Sequence, residues 1–296
     1  MERMTIKEAP IISDYIEDLS EYPQYIQDFV NTMKDHDLNY FYHNLRELEI
    51  YAVKDNKMYI KNARADYNIA QNEIECVLED INADIMHELL HVASRAETRD
   101  RLYCGFMQVL NDGYGIGIGI NEGYTALMDD RYFMNYDESK EEAARYTYPI
   151  LKHICRKLDA LVGQKEMENF FMTADLKGLH EQLSMYSSER KTDMFFLNVD
   201  LLYKKVYDRN FPKVRQSLDL YQKIMMYLAE CFMTRFKLQL DDGEFTQEEY
   251  DKCTEFVKIL LDDRMYFNKV IKSKKLSDYY EVIRIVANDN VKSRVR

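Results

Sequence analysis

The chain has 296 residues, enough for one large or two small cores. Its formal net charge of −12 argues against a nucleic-acid backbone or an anionic membrane surface as partner. Neither a run of roughly eighteen apolar residues nor an apolar stretch behind Met1-Glu2-Arg3-Met4 is present, so no membrane span and no standard secretory leader are expected. Gly (9) and Pro (4) are scarce while Met, Leu, Lys and Glu are abundant, which predicts a largely helical protein. Cys76, Cys104, Cys155, Cys231 and Cys253 are odd in number and widely spaced, with no C-x-x-C. They read as reduced thiols in a reducing compartment, and the expected location is cytoplasmic.

Residues 7–36 carry two amphipathic stripes. Ile11, Ile12, Tyr15, Ile16 and Leu19 make the first; Tyr25, Ile26, Phe29, Val30 and Met33 make the second, with Pro23 opening it. An ordinary packing layer is the expected role, rather than a lid or prosegment. From about Arg46 the period changes to two. Leu48, Ile50 and Ala52 alternate with Glu47, Glu49 and Tyr51, and Met58-Tyr59-Ile60 resumes after a turn at Asp55-Asn56. Ala65–Ala70 and Glu73–Leu78 are two more short strands around Gln71-Asn72. This predicts a small antiparallel sheet of three or four strands.

Glu79, Asp80 and Asn82 then supply acidic and capping residues for a helix that carries His87-Glu88-Leu89-Leu90-His91. Ile81, Ile85, Leu89 and Val92 keep a helical apolar spacing through it. On such a helix His87 and His91 lie one turn apart on one face and can point two imidazoles at one ion. Glu88 is rotated about 100° from His87. It therefore stands beside the ion, where a carboxylate can take a proton from a metal-bound water. Zinc with two imidazoles, one further protein ligand and a water lowers that water's pKa to roughly 7, which is the chemistry of metal-assisted hydrolysis. The plain alternative is a surface helix with two solvated histidines; the apolar flank argues instead for a half-buried helix. Asp84 is expected as a solvated acid of the first turn, and Arg95 as the partner of an acid.

Gly105–Leu110 and Tyr114–Ile120 read as strands joined at Asn111-Asp112-Gly113. Gly115-Ile116-Gly117-Ile118-Gly119 lacks the Lys-Ser/Thr of a phosphate loop. Its alternating glycines suit the close passage of another backbone or of a substrate. Asn121 is expected to cap a helix beginning with Glu122.

H-E-x-x-H followed by Asn121-Glu122-Gly123-Tyr124-Thr125 resembles the gluzincin metallopeptidases, with the nearest motif likeness to the aminopeptidase-N and leukotriene-A4-hydrolase type. The resemblance covers about fifty residues, roughly Asp80 to Phe133. It implies His87, His91 and Glu122 as zinc ligands, Glu88 as the catalytic base, and Asp129 as an acidic partner of a ligand histidine. It also implies a sheet edge that binds extended peptide. The gap from His91 to Glu122 is longer than in that group, and no G-x-M-E-N strand precedes the zinc helix.

Beyond Asn135 the pattern is helical, over about 138–162, 164–174, 176–186, 190–207, 213–240, 246–262 and 275–288. Gly163, Gly178 and Asp241-Asp242-Gly243 punctuate it. The basic end, Lys292 to Arg296, is expected to fray. By residue type, Tyr146, Tyr148, His153 and His180 can each serve as an oxyanion stabiliser.

The expected fold is α+β and helix-rich. Residues 1–135 form a lobe with the small antiparallel sheet and the zinc helix, residues 136–296 form an all-helical lobe, and a cleft holds Zn2+. The expected function is a zinc metallopeptidase acting on a peptide or protein substrate. Two alternatives stay open. One is a weak or inactive metallopeptidase-like binding protein that keeps zinc as a staple. The other is a zinc hydrolase of a non-peptide substrate, such as an epoxide or small amide.

Overall fold

The computed structural model describes residues 2–5, 19–53, 65–77, 81–110, 115–133, 148–207 and 214–261. The predicted stripe from Ile11 to Ile16, the strand at Met58-Tyr59-Ile60, the turn at Asn111-Asp112-Gly113, Tyr146, the helix 275–288 and the basic end lie outside them, as do Glu79 and Asp80. Two compact units make up the chain. The first comprises Met1–Gly115, Tyr124–Ala144 and Glu168–Leu176; the second comprises Ile116–Gly123, Arg145–Met167 and Lys177–Arg296.

In the first unit, α1 (Gln24–Met33) buries Tyr25, Ile26, Phe29, Val30 and Met33, the predicted stripe. Each fully buried member contributes about 1.5–3 kcal/mol over exposure. A short helix that the sequence pattern does not announce, α2 (Asn39–Leu45), follows. The first sheet contains β1 (Glu2–Thr5), β2 (Glu49–Val53), β3 (Ala65–Asn68) and β4 (Glu73–Val77), in the order β1-β2-β4-β3. It departs from the expected antiparallel sheet: β2 and β4 run parallel, with Ile50 opposite Ile74, while β1–β2 and β3–β4 are antiparallel. The reason is that β4 inserts beside β2 and leaves its hairpin partner β3 at the edge. Alternation specifies which face of a strand is buried, and a parallel or an antiparallel neighbour satisfies it equally. The β3–β4 turn falls at the predicted site, with Asn72 at φ 55°, a left-handed conformation that asparagine tolerates.

Helix α3 (Ile81–Ala93) neighbours α1, α2, β3 and β4. It is more deeply buried than its stripe suggests. Ile85, Met86, Leu89, Leu90, Val92 and Ala93 are all out of water, as a helix apolar around most of its girth requires. Its C-terminal carbonyls are taken up locally and from a distance. The Ser94 hydroxyl donates to Leu90 O, and Asn44 Nδ2 of α2 donates to Val92 O at 2.9 Å and Arg95 O at 2.7 Å. Asn72 Nδ2 donates to Asn44 O, and Tyr67 Oη donates to Asn72 Oδ1, each at 2.7 Å. This buried chain of amides ties the turn that carries His91 to the first sheet. Arg95 pairs with Glu97 at 3.0 Å, as expected.

A second four-stranded sheet follows, in the order β5 (Arg95–Glu97), β6 (Leu102–Cys104), β7 (Met107–Val109), β8 (Gly115–Ile116). The predicted strand 105–110 is shorter than expected because Gly105, at φ 50°, makes the turn between β6 and β7. Helix α4 (Ile118–Tyr132) begins three residues before the expected cap, so Asn121 is not a cap but a buried residue of its first turn. Its N–H donates to Gly117 O at 2.9 Å. Apolar continuity from Ile118 through Ile120 suits a helix against a buried wall as well as a strand, and burial decided for the helix.

In the second unit the helices follow the predicted series. They are α5 (Pro149–Val162), α6 (Gln164–Met172, whose last turns belong to the first unit), α7 (Leu176–Ser184), α8 (Glu189–Tyr207), α9 (Val214–Asp241) and α10 (Gln247–Leu261). Ile150, Leu151, Ile154, Leu158 and Leu161 form the buried stripe of α5. Gly163 ends that helix at φ 113°, and Gly243 turns at φ 76°. Gly178 does not break the series: it lies inside α7, and the break falls at Ala174, at φ 52°. Helix α9 packs on α5, α8 and α10. All five cysteines are free thiols, and four of them are buried. Among the described residues no helix is long and apolar enough to cross a membrane.

Candidate metal centre

Helix α3 puts His87 and His91 on successive turns, with ring centroids 5.0 Å apart and planes at 74°. Glu122 comes from the first turns of α4. One ligand atom from each of His87, His91 and Glu122 lies within 4.8 Å of the others. Among the described residues this is the group of His, Cys, Asp and Glu side chains that can hold a metal ion. His91 is buried; His87 and Glu122 are half-buried. Two imidazole nitrogens and a carboxylate oxygen suit a borderline divalent ion. Glu88, next to His87, is buried at 8% exposure, so its carboxylate is held among packed groups and not on a solvated surface.

His91 is oriented by residues that the sequence pattern does not point to. Its Nδ1 lies 3.5 Å from Thr125 Oγ1 and 3.6 Å from Cys104 Sγ. Both partners are buried. The Tyr67 ring runs nearly parallel to the imidazole, at 10° and 6.5 Å between centroids. Burial, then the neighbouring Cys104, pushes the Tyr67 phenol far above its ordinary range, so it stays neutral. Thr125 was findable: it follows Glu122 by three positions on one helix, hence on the same face. Cys104, thirteen residues beyond His91 across a strand connection, carries no local signal.

Asp129 stands two turns beyond Glu122 on α4, half-buried. The side chain of Asp84 lies outside the described residues. Of the tyrosines and histidines considered by type, Tyr148 reaches the ligand set. It caps α5 in a left-handed conformation, φ 49° and ψ 48°. It is hydrogen-bonded to Glu122 and to Tyr203 of α8. Desolvation, then the Glu122 carboxylate, holds its phenol well above the ordinary value. A bulky residue at positive φ costs on the order of 1–3 kcal/mol and persists only where its surroundings fix it. His180 is engaged elsewhere, with its Nε2 2.9 Å from Asp193 and its ring stacked on Phe196. His153 is buried within α5.

Comparison with protein-family models, with curated proteins and with solved structures finds no match to the chain.

Proposed function

We propose that this chain is a zinc-dependent metallopeptidase in which His87, His91 and Glu122 hold the ion and Glu88 is the base. The observation that carries the reading is the meeting of two imidazoles and a carboxylate within 4.8 Å, with a second, buried carboxylate adjoining the first histidine. Three nitrogen and oxygen ligands leave a coordination position open, whereas structural zinc sites are closed by four ligands, usually with thiolates. Zinc bound there supplies a Lewis acid and a water acidified to a pKa of roughly 7. Glu88 takes up a proton as general base and returns it to the leaving amine as general acid. Thr125 and Cys104 keep the His91 ring turned with its Nδ1 edge toward them. Asp129 is proposed as a further partner of a ligand histidine, and an extended peptide as substrate. The likeness of H-E-L-L-H and N-E-G-Y-T to the gluzincin motifs supports this reading.

Elemental analysis of the purified wild type beside Glu122→Ala tests the site. About one zinc per wild-type chain, lost or much weakened in the variant, is the expected result. No metal after reconstitution, or iron in place of zinc, overturns it. A quenched peptide library then tests the activity. Cleavage that stops with a chelator and returns with zinc is expected. Zinc-loaded chain that cleaves no peptide overturns the peptidase in favour of a binding protein or a hydrolase of another substrate.

A further inference from the structure

Helix α4, which carries Glu122, lacks the usual means of closing its N-terminus. Its cap position is Gly117, at φ 86°, which has no side chain to accept the orphan N–H groups, and its first turn contains no acid. The acceptor comes from another helix. Asp200 of α8 takes the Gly117 N–H on Oδ2 at 2.8 Å and the Gly119 N–H on Oδ1 at 2.9 Å, across more than eighty residues of sequence. The carboxylate is buried at 8% exposure. Both oxygens are therefore used, each on one backbone donor, in a charge-assisted pair that fixes direction as well as distance.

The surrounding backbone is built to permit that grip. A Cβ on Gly119 would come 2.8 Å from Val199 O, so glycine lets α8 approach. A Cβ on Gly123 would come 2.6 Å from Leu151 Cβ, so glycine on the far side of Glu122 lets α5 approach. Glu122 thus sits between two positions where α4 is pressed against its neighbours. One turn beyond Asp200, Tyr203 joins Tyr148 in the hydrogen-bonded set that ends on Glu122. Burial raises the Asp200 carboxyl above its ordinary value, against the lowering effect of the Gly119 and Gly117 N–H groups and of Lys204. Placing an acid here therefore has a cost that a solvated cap would not.

We propose that Asp200 is a positioning residue for the metal site: by clamping the Gly117 and Gly119 amides to α8 it sets the place and direction of the helix turn that presents Glu122. The proposal rests on Glu122 being a metal ligand, and it assigns part of the ion's affinity to a residue that does not touch the ion. Asparagine at 200 keeps one acceptor and turns an N–H2 toward the other amide, so one of the two bonds is lost.

The test uses the full chain and zinc alone. Zinc affinity is measured by chelator competition on wild type and Asp200→Asn, together with the visible spectrum of the cobalt-substituted proteins. We expect Asp200→Asn to bind zinc about 10–100-fold more weakly, in the range seen when the partners of metal ligands are removed, and to change the cobalt spectrum. Wild-type affinity with an unchanged spectrum overturns the proposal and leaves Asp200 a plain helix cap. A wild type that binds no zinc fails the metal reading itself, which is a different result. A second measurement needs no variant. Coupling is reciprocal, so zinc added to the wild type must slow exchange of the Gly117 and Gly119 amide hydrogens. Exchange at those two amides that is indifferent to bound zinc also overturns the proposal, whether or not Asp200→Asn folds.

Discussion

Thr125 stands one turn beyond Glu122 on α4 and holds its Oγ1 3.5 Å from Nδ1 of His91. One helix therefore supplies both a ligand candidate and the group that orients a second one. Thr125→Val keeps the volume and removes the oxygen. Zinc affinity is expected to fall by roughly tenfold, the lower end for loss of a ligand's partner, because Cys104 Sγ remains at 3.6 Å. Isothermal titration against wild type checks this; an unchanged affinity removes Thr125 from the site.

Glu88→Gln separates chemistry from metal binding. The amide preserves shape and cannot take up a proton, so hydrolysis should drop by at least 10²–10⁴-fold while zinc content stays at the wild-type level. Zinc analysis and peptide turnover on one preparation decide it. A fully active Glu88→Gln chain would falsify the proposed base.

Gly119→Ala and Gly123→Ala set helix propensity against packing. Alanine inside a helix gains up to about 1 kcal/mol over glycine. The added methyl meets Val199 O at 2.8 Å in one case and Leu151 Cβ at 2.6 Å in the other, both from packed helices. Overpacking of this kind costs about 1–3 kcal/mol, so it wins and both variants are destabilised. Urea unfolding gives the sign directly.

Glu168 meets two side chains in the first unit, with Arg131 Nη1 at 3.0 Å and His36 Nε2 at 3.3 Å. Its side chain is 8% exposed, and that of Arg131 20%. Glu168→Ala leaves the guanidinium without its carboxylate and should cost about 3 kcal/mol, the low end for a broken buried pair because Arg131 retains some water. Adding Arg131→Leu should recover part of that loss. A strictly additive double variant in a denaturation cycle would show the pair to be uncoupled.

Glu230 gives a pH-dependent test in the second unit. Its carboxyl is held below its ordinary value, first by the hydrogen bond from Lys191. The folded chain thus binds this proton less tightly than the unfolded chain. The contribution is present above the unfolded value of roughly 4.3 and is lost as pH falls through the lower folded value. With 40% of the side chain exposed, the pair is worth less than about 1 kcal/mol after screening. Glu230→Gln should therefore lower the urea midpoint slightly at pH 7, and by progressively less as the pH falls into the acid range. A loss that persists in acid would point to packing instead of charge.

Much of the helical half was legible because its information is local. The stripe of α1 and the stop at Gly163 each lie within a few residues of what they determine. Helical spacing likewise puts His87, Glu88 and His91 in their relation to one another before any tertiary contact forms. The sheet was less legible, since alternation in 48–52 and 73–77 names the buried face but not the partner, and β4 paired with β2 in parallel. Asn121 misled for a related reason: an asparagine before an acid is a good local cap, yet the helix already starts at Ile118, and Gly119, Ile120 and Asn121 are all buried within it.

What the sequence by itself determined is a pair of histidines on one helix face, a carboxylate beside them and a third candidate ligand in N-E-G. Each is an arrangement within one or two turns of chain. What only the tertiary structure decided is the company those groups keep: Thr125 and Cys104 at His91, Asn44 at the end of α3, Tyr148 at Glu122, and Asp200 on the amides of Gly117 and Gly119. These contacts join residues up to 83 positions apart. No local spacing encodes them, because they arise only when buried donors and acceptors must find partners inside a packed interior.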